Sequence, residues 1–282
     1  MLLFRLPTLL LLLTLNGATA APSADGLGNV VGAVYADGKI DLRMPDAVGN
    51  LFRTPNKKDR KYGPAGQLLE STGADGVTRY EYDPEGNLVK KVLPDGSAWT
   101  YAWNGAGMLT KVVRPDGKTV EFAYDALGRR VWKKYGAKTT KWIWDGNVPV
   151  HEWVEVDPAL EDPPAQQEDA DLESSLIGRK FMLTKRFAQG PPPEAFGTAD
   201  APITWVFEPK SFAPLAKLTA CERFGIVTDH LGTPTAMLDE RGATTWSADI
   251  GVYGDLRNVV GEKQACPFRW PGQYEDVETG MY

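Results

Sequence analysis

From Asp37 to Trp153 the chain alternates apolar and polar residues in short runs broken by turn residues. Trp99-Thr100-Tyr101-Ala102-Trp103 places three aromatics on one face of an extended segment and small or polar residues on the other. Val120-Glu121-Phe122-Ala123-Tyr124 repeats the pattern, and Lys141-Trp142-Ile143-Trp144 follows it more loosely. A period of two marks a β-strand with one face covered. Asp-Gly pairs and Asp-x-x-Gly segments separate the runs, and both supply the turn residues a hairpin needs. The pattern predicts an all-β protein built of antiparallel hairpins.

The hairpins recur. Tyr62-Gly63-Pro64-Ala65-Gly66-Gln67-Leu68, Tyr82-Asp83-Pro84-Glu85-Gly86-Asn87-Leu88, Trp103-Asn104-Gly105-Ala106-Gly107-Met108-Leu109 and Tyr124-Asp125-Ala126-Leu127-Gly128-Arg129-Arg130 align with one another. Their leading aromatics lie 20 or 21 residues apart. A second series, Asp75-Gly76, Asp95-Gly96 and Asp116-Gly117, runs in phase, seven or eight residues before the next aromatic. Asp37-Gly38 before Pro45 to Leu51 reads as a degenerate unit, and Trp144-Asp145-Gly146-Asn147 closes the series. Each unit is therefore two strands and two turns, and neighbouring units laid side by side build one continuous curved sheet.

Composition narrows the chemistry. The 282 residues carry 43% hydrophobic and 24% charged side chains, enough for a packed core. The 29 Gly and 21 Pro exceed ordinary usage and argue against a helical protein. Two His and two Cys leave little room for a metal centre, and a net charge of −6 offers no basic footprint for nucleic acid. Residues 1–20 read as an export signal, with Arg5, an apolar stretch from Leu6 to Leu15 and the small-residue pattern Ala18-Thr19-Ala20. That stretch is too short to span a bilayer. The expected product is secreted, periplasmic or held at the cell surface, without a stable membrane span. Export would allow Cys221 and Cys266 to pair; two unpaired core thiols fit equally well.

The repeats resemble the YD repeats of the RHS (rearrangement hotspot) proteins, bacterial relatives of the teneurins. Asp229-His230-Leu231-Gly232-Thr233-Pro234, then Gly242 and Trp246, then Arg269 to Tyr282 resemble the RHS-associated core; that last stretch includes Gly272, Gln273, Tyr274, Asp276, Glu278 and Gly280. The resemblance implies a spiralling β-sheet shell, which in larger members encloses a toxin released by aspartyl autoproteolysis at an Asp-Pro segment. Neither that segment nor a toxin domain has a counterpart here, so the expectation is a non-enzymatic shell remnant or interaction module without a cofactor. Its implied partners are another RHS-type chain, a toxin or immunity protein, or a cell-surface glycan. The alternative is a component of a contact-dependent or type VI toxin system, and the remotest is a glycan hydrolase. The division expected is a signal over 1–20, YD repeats over 21–153, an acidic insertion over 154–200 and a core segment over 201–282.

Among candidate sites, Asp229-His230 reads as a turn rather than a catalytic dyad, and His151 as a strand residue. Glu275, Asp276 and Glu278 read as solvated turn carboxylates. Trp99, Tyr101, Trp142 and Trp144 stand as either the covered face of the sheet or a ladder for stacking on sugar rings. Lys90, Lys91, Lys111, Arg114, Lys133, Lys134 and Lys138 read as the solvated face. From Glu155 to Gly178 eight acids occur with no Lys or Arg, which makes a linker or a docking site for a basic partner. Without that segment and the signal, the sheet is close to neutral.

Overall fold

The computed structural model describes residues 30–35, 37–160 and 201–282, together with short strands between residues 14 and 24. The N-terminal strands are β1 (Thr14–Leu15), β2 (Ala18–Thr19), β3 (Ala21–Ala24), β4 (Val30–Val34), β5 (Ile40–Leu42), β6 (Met44–Pro45) and β7 (Leu51–Phe52). The repeats then supply β8 (Arg60–Tyr62), β9 (Leu68–Gly73), β10 (Gly76–Tyr82), β11 (Leu88–Val92), β12 (Ala98–Trp103), β13 (Leu109–Val113), β14 (Thr119–Tyr124), β15 (Arg130–Tyr135), β16 (Lys138–Asp145) and β17 (Val148–Val156). After the acidic segment come β18 (Ile203–Phe207), β19 (Pro214–Leu218), β20 (Arg223–Thr228), β21 (Pro234–Leu238), β22 (Thr244–Ile250) and β23 (Leu256–Val260). Strands β8 to β23 form one sixteen-stranded sheet in chain order. The chain divides into two compact units, Met1–Trp99 with Asp249–Arg257, and Thr100–Ala248 with Asn258–Tyr282. Most of the stretch expected to be an export signal, and residues 161–200 of the acidic insertion, lie outside the described residues. Strand β17 runs through Val156, so Glu155 belongs to the sheet, where Lys141 pairs with it at 2.8 Å.

Apart from Asp75-Gly76, the two interlocked turn signals prove to be one geometry. At the YD turns, the Asp83 amide donates to the Asn87 carbonyl at 3.0 Å and the Gly86 amide to the Asp83 carbonyl at 3.0 Å. Asn104 with Met108 and Asp125 with Arg129 repeat this pairing. At two of the Asp-Gly turns, Leu93 with Ser97 and Arg114 with Lys118 do the same, whereas at Asp75-Gly76 the strands join by a two-residue turn in which Gly73 pairs with Gly76. Only the acid moves: Asp83 and Asp125 open their turns and accept from Asn87 and Arg129, whereas Asp95 and Asp116 sit two places further on and cap Ser97 and Lys118. In both, glycine takes the left-handed position, with φ of +87° at Gly86 and +86° at Gly96, which a side chain resists. The segment at Trp144 departs from the expectation. Asp145 pairs with Val148 across a two-residue turn, Gly146-Asn147, so it is a tight hairpin rather than a further YD turn.

Each YD aromatic sits at a β-bulge. The register shifts between Lys61 and Tyr62, Glu81 and Tyr82, Ala102 and Trp103, Ala123 and Tyr124, and Ile143 and Trp144. A bulge opens the ladder locally, and the polar tip of the next aromatic reaches into the opening. The Tyr82 hydroxyl donates to the Leu68 carbonyl at 3.0 Å, Tyr124 to Leu109 at 2.8 Å, and the Trp144 indole to Arg130 at 2.8 Å. Leu68, Leu109 and Arg130 are each the sixth residue after the preceding aromatic. Tyr62 closes the series on the Leu51 carbonyl. The units led by Tyr62, Tyr82, Tyr124 and Trp144 are thus each fastened to the one before.

Replacing Tyr124 by Phe is expected to lower unfolding stability by about 1–2 kcal/mol, because a half-buried carbonyl loses its donor while the ring stays. Urea titration of both proteins checks this; an unchanged midpoint would remove the link.

Candidate functional site

The second unit carries a polar cluster under a closing segment. Residues 262–282 lie across the covered face of its strands. That face is defined by register: Lys133 pairs with Phe122 on β14 and Thr140 on β16, and Trp142 pairs with Glu152 on β17. Phe122, Lys133, Thr140, Trp142 and Glu152 are all buried. Neighbouring positions point the other way and form exposed ion pairs, as Lys111 does with Glu121 at 3.3 Å. Such pairs contribute little.

Five charged sheet residues hold the closing segment. Arg130 donates to Asp276 at 2.8 Å, and the Lys133 ammonium lies 3.5 Å from Asp276 and 2.5 Å from Glu278. Arg114 donates to the Glu278 carbonyl, and Lys217 to the Ala265 carbonyl at 3.1 Å. Glu152 accepts from the Tyr274 hydroxyl at 2.9 Å and the Trp205 indole at 3.2 Å. Within the segment, Glu275 bridges Lys263 at 2.5 Å and Arg269 at 2.6 Å. Aromatic edges fill the space between: Phe268 meets Trp205, Phe207 and Tyr274, and Tyr274 meets Trp142.

Several expectations change. Glu275 and Asp276 are 5% and 2% exposed rather than solvated, because each meets cations in a covered site. Lys133 leaves the solvated face for the same cluster, and Arg114 is half-buried. Trp142 is 5% exposed with Tyr274 edge-on to it, so neither ring face is open to a sugar; Trp99, Tyr101, Trp103 and Trp144 are half-buried. Asp229 caps Leu231 and Thr233 at 2.9 Å, and His230 is exposed within that turn. His151 meets the Thr204 hydroxyl at 3.0 Å. Gly232 has φ +93°, and a Cβ there would stand 3.0 Å from that of Ala213, while Pro234 is fully buried. Gly272 turns against Phe212, Gln273 accepts from the Arg269 amide through its carbonyl, and the Gly280 amide closes on Asp276. Cys221 is exposed and Cys266 buried, both as free thiols; burial pushes the Cys266 thiol up to about 11. Sequence reasoning missed Arg130, Glu152 and Lys217, whose partners are remote in the chain, and Arg269, whose partners Glu275, Cys266 and Phe268 are near in the chain.

The electrostatics suit a fastener. Burial pushes the Asp276 carboxyl up, but Lys133, the Glu278 hydrogen bonds and Arg130 outweigh it and hold the group below its usual range. Burial raises Glu278, against the pull of Lys133. Two carboxylates sharing one ammonium divide in this way. Both are committed to cations and covered, so this pair does not face an open cleft as acid–base chemistry requires. Among the described residues no group of three or more His, Cys, Asp or Glu could hold a metal, and no helix is long and apolar enough to cross a membrane.

Comparison with known families agrees with this architecture. The RHS repeat model matches residues 62–98, 82–119 and 103–140, and the RHS protein model matches residues 226–260. The chain belongs to the RHS, or YD-repeat, family. It is 30% identical over 296 residues to the toxin protein Tse5 of Pseudomonas aeruginosa, covering 96% of this chain and 21% of that protein. It is 26% identical to the double-stranded DNA deaminase toxin A of Burkholderia cenocepacia, covering 95% and 18%. The chain thus spans about a fifth of the length of these RHS relatives. Similar solved structures include the Photorhabdus luminescens Tc holotoxin pore, at 14% identity and TM-score 0.41 over 92% of this chain and 16% of that one. The TcdB2-TccC3 structure matches at 14% identity and TM-score 0.36 over 92% and 20%.

Two pH trends follow. Asp276, held low, adds stability above 3.8 that is lost as pH falls through its lowered folded value. The deficit of Asp276→Asn should therefore be about 3 kcal/mol near neutrality and close under acid. Glu278, held high, adds stability below 4.5 that is lost as pH rises through its raised folded value. The advantage of the unchanged protein over Glu278→Gln should shrink as pH rises from 4.5. Denaturant midpoints across pH read both trends, and parallel curves for all three proteins would refute them.

Proposed function

We propose that this chain is a wall section of an RHS-type shell in an exported toxin-delivery system, non-enzymatic in itself, with the closing segment sealing one covered face. The observation that carries the reading is the sheet: sixteen strands in chain order, with Tyr82, Tyr124 and Trp144 fastened to the repeats before them and a charged segment strapped across the covered face of the second unit. Such a sheet lengthens by adding units without changing its local contacts. The relatives, named as toxins, match nearly all of this chain yet are about five times longer, which suits a section of a larger wall. Its partner would be a toxin chain or a second RHS-type chain that completes the enclosure. The product would act outside the cytoplasm, in the periplasm or at the cell surface. The family's YD aromatics would be structural, since Tyr62, Tyr82, Tyr124 and Trp144 spend their polar tips on the preceding unit.

A chimera tests this directly. The stretch of the Pseudomonas toxin that aligns with this chain is replaced by residues 1–282, and the product is challenged with protease. A wall section gives a soluble chimera whose resistance matches the parent toxin within about tenfold in rate. Rapid degradation of the chimera, with residues 1–282 folding normally on their own, would remove the proposal.

A further inference from the structure

One YD turn carries an amide where its neighbours carry an acid. Asp83 and Asp125 open their turns with a carboxylate, and Asn104 stands in the same place between them. The backbone is closed in the same way: the Asn104 amide donates to the Met108 carbonyl at 3.0 Å, and the Gly107 amide to the Asn104 carbonyl at 2.9 Å. Asn104 Oδ1 accepts from the Ala106 and Met108 amides, each at 3.0 Å, as Asp125 Oδ1 accepts from Leu127 and Arg129 at 2.9 Å. Asn104 Nδ2 has no hydrogen-bond partner among the described residues. The residue that follows also differs. The other turns have Pro64, Pro84 and Ala126 at this place, and this one has Gly105. The fold does not require glycine there, since its φ is not positive and a Cβ would meet nothing within 4 Å. The Gly105 N–H has no partner among the described residues, and residues 104–107 are all exposed.

A carbonyl carbon polarised by two donors is thus followed in the chain by an unhindered, unpartnered nitrogen in open water. We propose that Asn104 is a self-modifying site, which converts to aspartate in the folded protein and gives this turn the carboxylate of its neighbours. The Gly105 nitrogen attacks Asn104 Cγ, and the oxyanion forming at Oδ1 lies on the Ala106 and Met108 amides. The Cγ–Nδ2 bond breaks, and Nδ2 leaves as ammonia with the proton that Gly105 gives up. Water then adds to Cγ of the cyclic imide, the bond from Cγ to the Gly105 nitrogen breaks, and that nitrogen regains a proton. The balance is one water consumed and one ammonia released. Opening at the other carbonyl would route the main chain through Cβ and lengthen a turn closed by two backbone hydrogen bonds, so the fold favours ordinary aspartate. The new carboxylate accepts from the same two amides, and charge-assisted bonds are stronger than neutral ones. The site stands independently of the shell role.

Mass spectrometry of the full chain, incubated at mildly alkaline pH either folded or in urea, tests the proposal. Trypsin releases residues 92–111, in which Asn104 is the only side-chain amide, so the mass gain of amide-to-acid exchange reports this site alone. Electron-transfer fragmentation separates aspartate from its isomer. The expected result is conversion in the folded chain at a rate within about tenfold of that in urea, with aspartate in excess. Gly105→Pro, which installs the residue found at positions 64 and 84, removes the N–H and should abolish conversion with the turn still closed. Asn104→Asp makes the product directly, and it should unfold at the same urea concentration as the starting chain or a higher one. The proposal is overturned if the folded chain converts more slowly than that or not at all, or if the isomer is in excess. It is equally overturned if Gly105→Pro still converts or if Asn104→Asp unfolds at lower urea.

Discussion

A β-bulge at every YD turn is the constraint on which the repeat series rests. The bulge admits one extra residue, so the ladder opens at a carbonyl six places beyond each aromatic. An opened backbone group in a half-covered sheet needs a partner, and the polar tip of the next unit's aromatic supplies it. The Tyr82 to Leu68 and Tyr124 to Leu109 bonds make the requirement visible. This accounts for two features together. The leading position takes Tyr or Trp, whose rings end in a donor. The period holds at 20 or 21 residues, because a longer unit would carry the aromatic past its acceptor.

The closing segment obeys a different physics. Burying Asp276, Arg269 and Glu275 removes their hydration, which costs several kcal/mol per ion before pairing returns most of it. Such a cluster adds little net stability over an apolar equivalent, but it tolerates few alternatives. Shifting the segment by one residue would leave Lys133 buried and Arg130 half-buried without carboxylates, at about 3–5 kcal/mol for the buried pair. The charges therefore set where the segment lies, while Phe268, Tyr274 and Trp205 supply the apolar burial that keeps it there.

Much of the fold was legible because its signals are local. Gly86 and Gly96 announce left-handed turn positions within a five-residue window, and the aromatics at 62, 82, 103 and 124 announce the period. The charged cluster was not legible, and the bulges are the reason. Each bulge reverses the parity of inward and outward positions along a strand. Lys133 and Lys134 are adjacent and alike in sequence, yet the bulge beside Arg130 turns Lys133 inward and leaves Lys134 facing out. Alternation read from the chain carries no mark of that reversal. The same blindness hid Glu152, which looks like any polar strand residue until Tyr274 and Trp205 reach it from 122 and 53 residues away.

The sequence alone determined that this protein is a train of antiparallel hairpins of the YD type, since turn geometry and ring spacing depend on neighbours along the chain. It also located the segment from Arg269 to Tyr282 as a distinct element, without revealing what that element does. Tertiary structure decided the rest: which aromatics are covered, which lysines turn inward, and that three apparently solvated carboxylates are fasteners, Glu275 and Asp276 buried and Glu278 half-buried. Those outcomes depend on partners brought together across as many as 164 residues, and only the folded sheet sets the low-dielectric surroundings in which their charges must be paired.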